Sequence, residues 1–277
     1  MSESQSDSGL AAVNQAHLYY EVAGAGQPFV MIHAGVADHR QWNNEFIHFM
    51  KRFRVVRYDM RGYGKSEPVE GEFSHLQDLT ALLDHLRLDQ PIILMGCSMG
   101  GGVAMNFALT HPAKVKALIM VDAGPTGLEL DVPTPAKFEE VEKAYDAGDF
   151  DRVAELETQV WFDGQGRTPA QVNPAMRQLA YDMNRQALSL EAKQLGKRLP
   201  DCQTPAVERL SELHLPVLVI VGEHDTPYML AAATYMIEKM PSAQKVILED
   251  AAHLPNLDQP AKFQRSVTTF LERNAAA

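Results

Sequence analysis

Three side chains far apart in this chain are of the types needed to attack a carbonyl carbon: Ser98, Asp225 and His253. Ser98 stands in Gly96-Cys97-Ser98-Met99-Gly100, with Gly101 and Gly102 behind it. A serine hydroxyl is a poor nucleophile unless a neutral histidine takes its proton during attack. His253 is the expected base. Asp225 is expected to accept the other ring N–H, to fix the tautomer and to stabilise the imidazolium that forms. The attacked oxygen becomes an oxyanion and needs preorganised N–H donors. The backbone N–H groups of Met99 and Gly35 are expected to supply them, with Val36 beside Gly35. Asp122 also follows a strand end and competes with Asp225 for the role of acid. Asp225 is preferred because it closes Gly222-Glu223-His224-Asp225 after a strong apolar strand. Cys97 reads as a buried, inert thiol, and His33 as a hydrogen-bond anchor for its loop.

Strands and helices must hold these groups. Ile92 to Met95 is too short an apolar run for a helix and reads as a buried strand. The segment after Ser98 has helical composition and is expected to stop near His111-Pro112. Ser98 therefore sits on a tight strand-to-helix turn, where small neighbours let the two elements approach. Further strands are read at 17–22, 29–32, 54–58, 115–121, 215–221 and 245–248. Helices are read at 39–51, 73–88, 228–240 and 261–273. Their alternation implies a mostly parallel, doubly wound sheet covered on both faces, an α/β fold. Residues 126–204 break the alternation with helical stretches at 138–145, 150–161 and 174–190. The expected organisation is a core in two parts, 1–125 and 205–277, with a helical cap at 126–204. Residues 1–13 read as a disordered tail.

In such sheets ligands bind at the carboxyl ends of the strands. The loops leaving those ends carry His33-Ala34-Gly35, Ser98, Asp225 and His253, so the polar groups share one rim. Trp161, Phe162 and Leu254, with Val36, are expected to line an apolar pocket over Ser98. Composition narrows the rest. The 277 residues are 45% hydrophobic and 22% charged, with a formal net charge of -11. No basic excess exists to neutralise phosphates, so nucleic acid is not an expected partner, nor is an anionic membrane surface. Two cysteines make neither a disulfide framework nor a thiolate metal site. Gly62-Tyr63-Gly64-Lys65-Ser66 ends like a phosphate loop, but Asp59 stands where that pattern needs glycine. No cofactor and no metal are expected. Residues 1–10 lack the basic and apolar regions of a secretion signal, so a cytoplasmic location is expected. Nothing in the residue pattern fixes the oligomeric state.

Along nearly its whole length the chain resembles the α/β-hydrolase superfamily. The matching segments are His33-Ala34-Gly35, Asp59 through Ser66, Gly96 through Gly101, Gly222 through Asp225, and Ala252-His253-Leu254-Pro255-Asn256. The resemblance implies the α/β-hydrolase fold, a helical cap inserted after the sixth core strand, and a triad of Ser98, Asp225 and His253. Ala34 and Ala251 stand where relatives usually have glycine, and neither removes a required side chain. The subgroup it looks most like is small capped carboxylesterases and enol-lactonases. The expected activity is cleavage of small, mainly apolar esters or lactones through an acyl-enzyme on Ser98. C–C bond hydrolysis or perhydrolysis with the same triad is the alternative, and a non-enzymatic ligand-binding protein on the same fold stands behind both.

Overall fold

The computed structural model describes residues 6–274. Its strands are β1 (Asp7–Val13), β2 (Ala16–Ala23), β3 (Pro28–Ile32), β4 (Arg54–Tyr58), β5 (Glu72–Phe73), β6 (Ile92–Cys97), β7 (Val115–Val121), β8 (Lys197–Arg198), β9 (Val217–Gly222) and β10 (Ala243–Leu248). Its α-helices are α1 (Asn43–Phe49), α2 (His75–His85), α3 (Met99–Thr110), α4 (Lys137–Asp146), α5 (Phe150–Thr158), α6 (Pro174–Glu191), α7 (Pro227–Lys239), α8 (Pro255–Asp258) and α9 (Pro260–Asn274).

Eight strands form one sheet in the order β1-β2-β4-β3-β6-β7-β9-β10. The β1–β2 and β2–β4 pairs are antiparallel and the remaining pairs parallel. The strands alternate faces, as a period of two requires. Val30, Ile32, Leu94, Leu118 and Val219 pack under α2, α3 and α7. Phe29, Met31, Ile93, Ile119 and Leu218 pack under α1 and α9. Both faces are therefore apolar, and the central strands β3, β6 and β9 are buried at every position. The chain order reverses across β3, whose neighbours are β4 and β6. That switch point opens a crevice between the loop after β3 and the turn after β6.

The expected tail at 1–13 is corrected. Residues 7–13 form β1, paired with β2 from Asp7 opposite Val22 to Val13 opposite Ala16. Its Ala11 and Val13 are buried, and the Arg61 guanidinium donates to the Asn14 carbonyl at 2.9 Å. Residues 1–5 lie outside the described residues. Helices α4, α5 and α6 fall within 126–204, around a small cluster of Ala144, Val153, Ala154, Leu156 and Leu188. The two-residue strand β8 also lies there and pairs with β5.

Candidate active site

Ser98 sits between β6 and α3 with φ 50° and ψ -115°. This left-handed geometry is unusual for a residue with a side chain and needs its surroundings to hold it. Ser98 N–H donates to the Val121 carbonyl at 2.9 Å, and its carbonyl accepts from Gly102 N–H at 3.0 Å. The flanking glycines are required by contact. A Cβ on Gly96 would lie 2.2 Å from the Gly100 carbonyl oxygen, and one on Gly100 would lie 2.4 Å from that of His33. The turn thus presses α3 directly onto β3 and β6. Ser98 is half-buried at the start of α3, where the helix dipole favours developing negative charge. Its hydroxyl makes no hydrogen bond among the described residues.

His253 and Asp225 meet from neighbouring strand ends. His253 Nδ1 lies 2.7 Å from Asp225 Oδ2, with both residues buried. Asp225 Oδ1 accepts from Thr226 N–H at 2.6 Å. Burial by itself would raise the Asp225 pKa; the adjacent His253 and the hydrogen bonds it accepts outweigh that and hold it below the ordinary value. The two carrying loops are pressed together. A Cβ on Gly222 would lie 2.3 Å from the Ala252 carbonyl oxygen, and His224 N–H donates to the Ala251 carbonyl.

Asp122 is buried at the end of β7, which lies between β6 and β9 in the sheet. Its Oδ1 accepts from Gly222 N–H at 2.8 Å. A carboxylate oxygen of Asp122 lies within 4.8 Å of an Asp225 oxygen and of a His253 ring nitrogen, and it is Asp225 that meets the imidazole at 2.7 Å.

Gly35 faces Met99, whose Cβ would be 3.7 Å from a Cβ built on Gly35. Neither residue's N–H donates to another group among the described residues. The Gly35 loop is pinned from both sides. Buried His33 accepts from Met60 N–H at 3.0 Å through Nε2, and its Nδ1 lies 2.7 Å from the Ala34 carbonyl. The Gln41 side chain accepts from Ala34 N–H at 2.9 Å. Asn256, three residues after His253, donates to the Gln41 carbonyl and to Glu45. The histidine loop and the Gly35 loop therefore share one buried amide network. Cys97 is fully buried, and burial pushes its thiol pKa well up.

A cavity of about 430 Å³ opens from Gly35, Val36 and Met99 towards Tyr63, Asn184 and Leu188. Val36 borders it as expected. Trp161, Phe162 and Leu254 do not; they surround a small void beside it, together with Val36. Phe162 and Leu254 are packed into the core under α1 and α9. Trp161 instead leans on His253: its ring centroid is 4.5 Å from that of the imidazole, and its carbonyl accepts from His253 N–H at 3.1 Å.

Several contributors carried no sequence signal. The helix after α5 widens into a π-helical turn, Gln159–Asp163, which presents Trp161. Gln165 N–H donates to the His224 carbonyl at 2.7 Å. Arg167 donates to the carbonyls of Phe162, Asp163 and Asp250 and pairs with half-buried Asp258 at 2.6 Å. Only the apolar pattern Val160, Trp161, Phe162 hinted that this stretch packs inward, and nothing in it marks a change of helix type.

The sequence profile of the alpha/beta hydrolase fold family matches residues 27–260. The chain is 28% identical to the pimeloyl-[acyl-carrier protein] methyl ester esterase of Aeromonas hydrophila, over 90% of this chain and 96% of that protein. It is 29% identical to 2-hydroxy-6-oxononadienedioate/2-hydroxy-6-oxononatrienedioate hydrolase 1 of Dechloromonas aromatica, over 92% and 90%. Among solved structures, the enol-lactonase of Burkholderia xenovorans LB400 superposes with a TM-score of 0.77 at 23% identity, covering 95% of this chain and all of that one. At that identity the likeness speaks for the fold.

Proposed function

The chain belongs to the α/β-hydrolase fold family, and on that premise we propose that it is a serine hydrolase cleaving carboxylic esters or lactones of small, mainly apolar compounds. The observation that carries this reading is the 2.7 Å contact between His253 Nδ1 and Asp225 Oδ2, on loops beside a strained turn that holds Ser98. Asp225 keeps the imidazole in the tautomer whose Nε2 is free to accept a proton. Ser98 Oγ attacks the substrate carbonyl while His253 takes its proton. Negative charge gathers on the carbonyl oxygen and is met by the N–H groups of Gly35 and Met99, which have no other acceptor among the described residues. His253 then protonates the departing alkoxide, leaving an acyl group on Ser98. Water, activated by the same imidazole, releases the acid. Each N–H donor is worth roughly 3 kcal/mol to the transition state.

Residues 126–204 act as the cap in this reading and close the acyl or alcohol side of the cavity. Support for ester chemistry comes from the Aeromonas esterase, alike over most of both chains. The similarity to the Dechloromonas hydrolase favours a second reading, cleavage of a C–C bond next to a ketone by the same residues. Hydrolysis of p-nitrophenyl esters of increasing chain length, lactones and a ring-fission diketone, by the wild type and by Ser98→Ala, tests both. Serine-dependent turnover of esters or lactones is the expected result. Turnover of the diketone alone would move the assignment to C–C hydrolysis, and full activity in Ser98→Ala would remove the mechanism.

A further inference from the structure

Asp122 is an acid that the mechanism above does not use. It leaves β7 with φ 41°, in the left-handed region, and is 1% exposed. Oδ1 has one donor, Gly222 N–H. Oδ2 is sealed from solvent and has no donor at all among the described residues. A carboxylate oxygen of Asp122, one of Asp225 and a ring nitrogen of His253 all lie within 4.8 Å of one another.

The surroundings decide which acid keeps its charge. The titratable groups acting on Asp122 are Asp225 from the loop after β9, His253 beyond it, and the neutral Cys97 thiol from the end of β6. No lysine or arginine pairs with Asp122 among the described residues. Two carboxylates this close in a dry site do not both ionise. Asp225 has the Thr226 N–H on one oxygen and the imidazole on the other. Asp122 has one N–H, so the proton belongs to Asp122. Burial and the neighbouring Asp225 charge both push its pKa well up. With a hydrogen on Oδ2, the orphaned oxygen becomes a donor, and its nearest available acceptor is Asp225.

We propose that Asp122 is a positioning residue, held as a neutral carboxylic acid whose Oδ2–H donates to Asp225. The inference rests on the reading of Ser98, His253 and Asp225 as the reacting groups. The donated hydrogen bond fixes the rotation of the Asp225 carboxylate. It also withdraws charge from it, which weakens the hold of Asp225 on a protonated imidazole.

The test compares Asp122→Asn with Asp122→Ala. Asparagine keeps a donor towards Asp225 and an oxygen for Gly222 N–H, and it tolerates a positive φ. It is expected to retain most of kcat/KM with the acidic limb of the pH profile unmoved. Alanine removes the donor, and the limb should move up by about one pH unit, a loss of up to about tenfold in kcat/KM on that limb. An infrared difference spectrum of wild type minus Asp122→Asn at neutral pH should show the carbonyl band of a protonated carboxylic acid. That measurement needs no activity. It stands if Asp122→Ala does not fold, and it separates this inference from the assignment of Ser98, which Ser98→Ala tests. Absence of the band, or an Asp122→Asn profile shifted like that of alanine, would overturn the proposal.

Discussion

Replacing Glu45 by glutamine should reverse part of the protein's dependence on pH. Glu45 lies on α1 and is fully buried. Its Oε2 accepts from Asn256 Nδ2 at 2.9 Å and its Oε1 from Gln264 Nε2 at 3.1 Å. Burial is the largest influence on it and outweighs these amides and the more distant Arg57, pushing its pKa up to about 7 from an ordinary 4.5. Between those values the folded chain binds more protons than the unfolded one, so stability falls as pH rises. The contribution of neutral Glu45 is complete below about pH 4.5 and gone above about pH 7. At about 1.4 kcal/mol per unit, the whole window is worth up to about 3 kcal/mol. Glutamine cannot ionise, and the half-buried Gln264 amide can turn to accept from it. Urea unfolding at pH 5 and pH 8.5 should therefore give similar midpoints for the two proteins in acid. In base the variant should be the more stable by about 2 to 3 kcal/mol, with unchanged m. An equal difference at both pH values, or a variant relatively weaker in base, would refute the assignment of this buried proton.

Ser98→Ala should lower kcat by a factor on the order of 10⁴ to 10⁶ with an unchanged far-ultraviolet circular dichroism spectrum. Gly100→Ala should fail to fold stably, because its Cβ meets the backbone of Ile32 and His33, whereas Gly102→Ala has nothing within 4 Å. The second substitution should raise stability by up to about 1 kcal/mol in thermal or urea unfolding. Arg167→Ala strands the Asp258 carboxylate, only 5% exposed, without its cation. It should cost about 3 kcal/mol and lower Tm by roughly 5 to 10 °C in calorimetry, with a fall in kcat because the loop beside His253 loosens.

Legibility in the sequence followed the kind of constraint. Alternating apolar runs and the glycines around Ser98 write their reasons locally, so the parallel core, the turn and the rim carrying Asp225 and His253 could be read directly. The stop of α3 at Thr110, before His111-Pro112, was equally local. Edge strand β1 was not legible, because residues 1–9 lack an apolar run and β2 supplies the pairing that makes residues 7–13 a strand. Trp161, Phe162 and Leu254 were legible as inward-facing, but which of them would border the main cavity depends on a π-helical turn that no spacing records. The amide network of Gln41, Glu45 and Asn256 joins residues more than two hundred positions apart, and its members look like ordinary surface polar residues until the fold brings them together.

The attachments of helices α4 to α6 and their flanking loops also bear on how far this fold can be recombined. The stretch 159–167 is bonded to the loops of His224, Asp250 and His253. At the other end, Asp201 accepts from Ser74 Oγ and Leu76 N–H at the start of α2, and Gln186 Nε2 reaches the Gly64 carbonyl. A stretch sewn down at three places is not a detachable module. Trimming residues 126–204 would leave the His253 backbone and the first turn of α2 without their partners. A chimera that exchanged this region for another would inherit a displaced imidazole unless the graft rebuilt both the π-helical turn and Asp201. On the proposed function, substrate range is therefore better altered by side chains facing the cavity than by exchanging residues 126–204 whole.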